Sequence, residues 1–207
     1  MAGFGIYSTA GTDPKQPVVK TQKNTISTQV TDMLRDRLQQ ITDTQDRSKH
    51  CAMLKSLREE IPHSIKVLSG PNENLRYNCV MYAFGLEEDQ EYVDLVFACP
   101  EHVHGDTKFI QFLIHTGDLD EQEHPAPGLL AIYFHNEAVR HIACLISQTR
   151  AASKWGIGEL YEHDIFEVPS SYGEVVRYFS STERDTVISR FIEFAENQGV
   201  RFDANGS

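Results

Sequence analysis

Long apolar runs are missing. No stretch of the 207 residues approaches the ~20 consecutive apolar side chains that span a bilayer, so no membrane partner is expected. Basic charge is scarce too: 19 Lys and Arg stand against 30 Asp and Glu, a formal net charge of −11. Such a chain lacks the clustered cations that phosphate backbones require, which argues against nucleic acid as a partner. Only four cysteines occur, Cys51, Cys79, Cys99 and Cys144, without a CxxC pair or regular spacing. They form neither a disulfide framework nor a zinc pattern. No Gly-rich phosphate loop or dinucleotide fingerprint is present, so no cofactor is expected. The first residues lack the basic start and apolar core of a secretory signal. A cytoplasmic protein with reduced thiols fits these absences.

What remains is ordinary for a globular domain: 40% hydrophobic and 24% charged residues. Residues 1–25 are rich in Gly, Thr, Pro, Gln and Lys and read as a flexible arm, with Phe4, Ile6 and Tyr7 as an anchor or as exposed side chains. Residues 26–62 form a helical extension in which Val30, Leu34, Leu38 and Ile41 make one stripe and Cys51, Leu54, Leu57 and Ile61 a second. Its charged faces are either solvated or a surface for a regulatory or inhibitor protein. The main domain is placed at 63–200 and a tail at 201–207. Within the domain, Ile65 to Leu68 reads as a short strand, and a helix starts at Cys79. YVDLVFACP fits strand or helix equally well, and KFIQFLIHTG is a helix stopped by Gly117. Gly128 to Phe134, His141 to Ile146 and ELYEHDIFEV are three strands with short connections, an antiparallel meander. SQTRAASKWGIG between them reads as a turn region. Ser171 three residues before Glu174 predicts a capped helix over SSYGEVVRYF, and a last helix is expected from about Glu183 to Asn197.

The chemistry centres on RYNCVMYAFGLEE. Asn78 is a competent N-cap, and Cys79 then lies among unpaired backbone N–H groups at the positive end of a helix, where a thiolate is favoured. The competing reading makes Cys79 a small, inert core residue. A thiol nucleophile needs a base within reach and a third group to orient that base. His141 opens the strand HIACLI, and a helix start facing the sheet would set Cys79 beside it. Lys154, Trp155 and Gly156 form either a groove wall or a packed hairpin, and Tyr82 either enters the same cleft or packs. His102, His104 and Asp106 alternate as H-x-H-x-D, too sparse for a metal site without a second ligand cluster.

NCVMYAFGL, a helix ending in Gly, PGLLAIYF and VRHIACLIS together resemble the core of NlpC-type and CHAP-type papain-like cysteine peptidases. The later SKWG and SYG elements are similar to an uncharacterised bacterial branch of that group. The resemblance covers about Leu75 to Phe179. It implies an α+β papain-like core, a small antiparallel sheet packed against the helix that carries the cysteine. It further implies a thiol-dependent hydrolase of a peptide or isopeptide amide, such as a bacterial effector or toxin, acting on a protein or peptide substrate. Cys79 matches the nucleophile and His141 the general base. The third position lies on a following strand and is His, Asn, Gln or an acid in that group; here Ser153, Glu159 and His163 are available. Glu159, Tyr161 and His163 share one strand face, and His163 is preferred because Glu159 sits nearer the turn. Leu129 stands where the group commonly has an acid. Two alternatives stay open: a deamidase or acyltransferase using the same pair, and a non-catalytic protein-binding module.

Overall fold

The computed structural model describes residues 23–68, 76–104 and 106–202, with side chains from residue 28 onward. The arm anchors Phe4, Ile6 and Tyr7 lie outside the described residues, as do Gly105 and residues 203–207. The chain begins with α1 (Lys23–Thr42) and α2 (Arg47–Glu60). Their Leu34, Leu38, Ile41, Leu54 and Leu57 are buried as the stripe requires, whereas Val30 is exposed. Asp46 caps α2 by accepting from the Ser48 N–H. After β1 (Lys66–Leu68) come α3 (Cys79–Ala83), α4 (Gln90–Ala98) and α5 (Thr107–Thr116). YVDLVFACP is therefore helical, and Gly117 ends α5 in the left-handed region at φ 78°. The remaining elements are β2 (Glu121–Gln122), β3 (Leu130–His135), β4 (Ala138–Leu145), β5 (Arg150–Lys154), β6 (Leu160–Asp164), β7 (Val175–Phe179) and α6 (Arg184–Asn197).

The fold is α+β. Among the described residues seven strands pair antiparallel in the order β1-β6-β5-β4-β3-β7-β2, so β3 to β6 form a meander and β7 returns beside β3. Side-chain alternation divides the interior in two. Leu130, Ile132, Phe134, Val139 and Ile142 face α3 to α6, while Ala131, Tyr133, Ala143 and Leu145 face α1 and α2. The helical extension expected over 26–62 thus lies against the sheet.

Two sequence readings need correction. RAASK is not a turn but β5, because Ser147 accepts from the Thr149 and Arg150 N–H groups and turns the chain back along β4. EVVRYF is not helical: the Glu174 carboxylate bonds the His135 ring at 2.8 Å instead of returning to cap Ser171. Its β-branched pair Val175–Val176 then continues as β7 on β3. Gly173 makes this join. Its φ is +102°, and a Cβ there would overlap the Phe134 carbonyl.

Arg35 ties α1 to the segment leading into β7. Its buried guanidinium donates to the carbonyls of Val168 (3.2 Å), Pro169 (3.4 Å) and Gly173. Arg35→Met keeps the apolar stem but strands those carbonyls, and should cost about 2–3 kcal/mol. Urea unfolding followed by Trp155 fluorescence measures this; an unchanged midpoint would show that the tether contributes nothing.

Candidate active site

Leu145 and Ile146 send their N–H groups to opposite sides of β4, to Leu129 beside β3 and to Arg150 on β5. Alternation therefore aims the Ile142 N–H toward β5. Yet β4 and β5 pair only at Cys144–Ala152 and Leu145–Ala151, and beyond Cys144 they part. Cys79 occupies this opening. Asn78 accepts from the Met81 N–H at 2.9 Å and starts α3 there, with Val80, Met81 and Ala83 in the core beneath. The Cys79 sulfur lies where the N–H groups of Ile142, Cys79 and Val80 all favour its thiolate.

Burial outweighs those donors. The residue as a whole is partly exposed, but the thiol is desolvated and pushed up to about 11. This reverses the direction expected from a helix start. Five residues make a weak dipole, and charge in a dry setting is expensive.

His141 adjoins Ile142 in the chain but alternates to the α1–α2 side. Its ring stacks on Tyr172 with centroids 3.9 Å apart and planes 19° from parallel, and meets Tyr133 at 5.6 Å. It is 2% exposed, its Nε2 is buried with no hydrogen-bond partner, and burial holds its pKa well below the ordinary value. No side-chain hydrogen bond joins Cys79 to His141. Tyr172 links them instead: it covers the imidazole, and its hydroxyl is raised by burial and then by the neighbouring Cys79 charge.

The three candidates for the third position go different ways. Glu159 forks onto Arg47 of α2, with Nε to carboxylate at 2.7 Å. Ser153 and His163 bond each other. Trp155 Nε1–H donates to Ser153 Oγ (2.9 Å), Ser153 O–H to His163 Nε2 (2.9 Å), and His163 Nδ1–H to the Asp164 carbonyl (2.8 Å). That tautomer follows because a carbonyl only accepts. Both nitrogens of His163 are thereby engaged, and neither bonds His141. The missed strand explains it: β5 stands between β4 and β6, so His163 is two strands away, near enough only for its charge to lower His141.

Trp155 is buried and so is core, not groove wall. Lys154 ends β5 with its ammonium donating to the Gly156 and Gly158 carbonyls and lying 5.3 Å from the Tyr77 ring. Burial lowers it to about 8, helped by Arg47 and opposed by Glu159 and then Cys79. Sequence reasoning missed Tyr172 as a partner of His141; the only signal was its place in the SYG element. Of the sparse triplet, Asp106 caps α5 and His104 bonds the Cys99 carbonyl at 3.0 Å. Among the described residues no three His, Cys, Asp or Glu side chains converge as a metal site, and none of the helices is long and apolar enough to cross a membrane.

Residues 68–180 match a domain of unknown function, DUF7689. The chain belongs to the DUF7689 family. The DUF7689 span runs from the end of β1 to the residue after β7 and holds Cys79, His141, Lys154, His163 and Tyr172, leaving α1, α2 and α6 outside it. No curated protein and no solved structure matches the chain.

The buried imidazoles give a pH signature. His163 falls from 6.5 unfolded to about 4 folded. Above pH 6.5 both states are neutral and nothing is lost. As pH falls toward 4 the unfolded chain takes the proton first, so stability drops, by about 3 kcal/mol for this group once the window is crossed. His163→Asn should flatten the decline in urea midpoint between about pH 6.5 and 4.5. A decline as steep as in the unmutated protein would rule out His163 as its source.

Proposed function

We propose that this protein is a thiol-dependent amide hydrolase with a papain-like arrangement, in which Cys79 is the nucleophile and His141 the base. One observation carries the reading: the Cys79 thiol stands in the β4–β5 opening against the Ile142 N–H, one residue from His141. Both groups rest neutral there. The thiol therefore attacks as its proton passes to the imidazole, instead of waiting as a preformed thiolate. The sulfur adds to the substrate carbonyl carbon. His141 returns the proton to the leaving amine as the C–N bond breaks and a thioester forms. Water then adds to the thioester, giving its proton to His141; the C–S bond breaks, the carboxylic acid leaves, and His141 passes that proton to the sulfur to restore the thiol. The N–H groups of Cys79 and Ile142 are the donors at hand for the oxyanion. Bonds between nucleophile and base often tighten only with substrate in place. Tyr172 fixes the ring plane of His141, the task first assigned to His163. The Trp155–Ser153–His163 chain stiffens the end of β5.

Cys79→Ala and His141→Ala should each abolish turnover, by about a thousandfold or more. A peptide library read by mass spectrometry detects new termini for hydrolysis or a one-dalton gain for deamidation. Because His141 must be neutral to accept a proton, its low pKa should keep kcat/KM level from about pH 7.5 to 5.5, where an ordinary histidine would lose activity.

The missing Cys79–His141 bond and the raised thiol favour a second reading, a non-catalytic binding module. Identical library products from the unmutated protein and Cys79→Ala would establish it.

A further inference from the structure

A groove of about 550 Å³ runs between α5, α6 and the start of β4. Its volume falls within the ~300–1,000 Å³ of ordinary ligand clefts. Phe112, Val139 and Phe194 make an apolar floor, with the two phenyl rings 5.6 Å apart. Lys108, His115 and Arg140 stand exposed on its rim. In a chain with a net charge of −11, no carboxylate among the described residues lines this groove. Of the acids near it, Asp106 caps α5 by accepting from the Lys108 N–H, and Glu193 pairs with Arg190. Lys108 and Arg140 enter none of the ion pairs among the described residues.

We propose that this groove binds an acidic peptide segment of another protein, with an apolar side chain between Phe112 and Phe194 and flanking carboxylates on Lys108 and Arg140. Charge decides the occupant. The chain's own residues 1–22 carry one acid, Asp13, against Lys15 and Lys20, and offer no complement. After α6 the chain turns Val200 and Phe202 onto the core. Nucleic acid would need more than the two cations, Lys108 and Arg140, in this acidic setting. Chain neighbours link the groove to the candidate site. Thr107 follows Asp106, whose charge acts on Cys79, and Arg140 precedes His141. Naming the bound segment a substrate rests on the hydrolase reading; the binding itself does not.

The test uses the full chain carrying Cys79→Ala, so that binding is read without turnover. Fluorescence anisotropy at low ionic strength compares a labelled Glu-Glu-Leu-Phe-Glu-Glu peptide with its Gln and Lys counterparts. The acidic peptide should bind at least about tenfold more tightly than the Gln form, weaken with salt, and lose about tenfold on Lys108→Glu with Arg140→Glu. Both side chains are exposed, and the milder Lys108→Gln with Arg140→Gln should give an intermediate loss. Equal affinity for the three peptides, no binding at all, or indifference to both double variants would overturn the proposal. So would strong binding that appears only after residues 1–22 are deleted, since the arm would then be the occupant. Absent turnover in the unmutated protein leaves this binding result standing, and a failed binding result leaves the Cys79 mechanism standing.

Discussion

Two more pairs in the β4–β5 ladder would abolish the candidate site. Continuing the register from Cys144–Ala152 would set Ile142 against Lys154 and bond the Ile142 N–H into the sheet. Instead β5 ends at Lys154, whose ammonium turns to the Gly156 and Gly158 carbonyls, while the Trp155 N–H closes on Glu159. The opening this leaves is filled by the start of α3. A buried N–H left without a ladder partner is costly, and the sulfur of Cys79 is the group beside it. The thiol is thus held by the place where the sheet stops pairing.

The same enclosure sets the electrostatics. A short helix and three N–H groups pull Cys79 toward thiolate, and His141 would help if it were charged. Desolvation acts on both and prevails on both, raising the thiol and lowering the imidazole. An ion pair would leave two charges in a dry opening whose aromatic walls, Tyr133 and Tyr172, offer the ring faces without a hydrogen bond to Nε2. The neutral pair is the cheaper resting state. Any charge separation must come with a ligand that brings its own dipoles.

Much of this was legible in the sequence, and what failed has a common cause. Helices with a 3.6-residue stripe and a local stop were readable: α1, α2, α5 with Gly117, and α6. So was the placement of Cys79 behind the Asn78 cap, because capping is local. β5 and β7 were not, since RAASK has little apolar alternation and SSYGEVVRYF carries a capping-box spacing. Their identity is decided by partners on other elements: Ser153 by His163 on β6, Glu174 by His135 on β3. Missing β5 displaced His163 by one strand, and with it the expected orienting bond. Tyr172 was hidden for the same reason, as ring stacking between a strand and a distant turn leaves no periodic trace.

The helices outside the family span bear on the site through contacts that can be followed one by one. Arg35 of α1 grips the carbonyls of Val168, Pro169 and Gly173, which bracket the turn bearing Tyr172. Tyr172 in turn lies flat on His141. From α2, Arg47 holds Glu159, next to the Gly158 carbonyl that receives the Lys154 ammonium. A guanidinium thus stands behind each wall of the opening, one behind the imidazole and one behind the lysine. Because planar forks lose little freedom on binding, they are suited to holding such walls in place. The sheet and α3 carry the candidate pair, and the turn that lays Tyr172 on His141 is tied to α1.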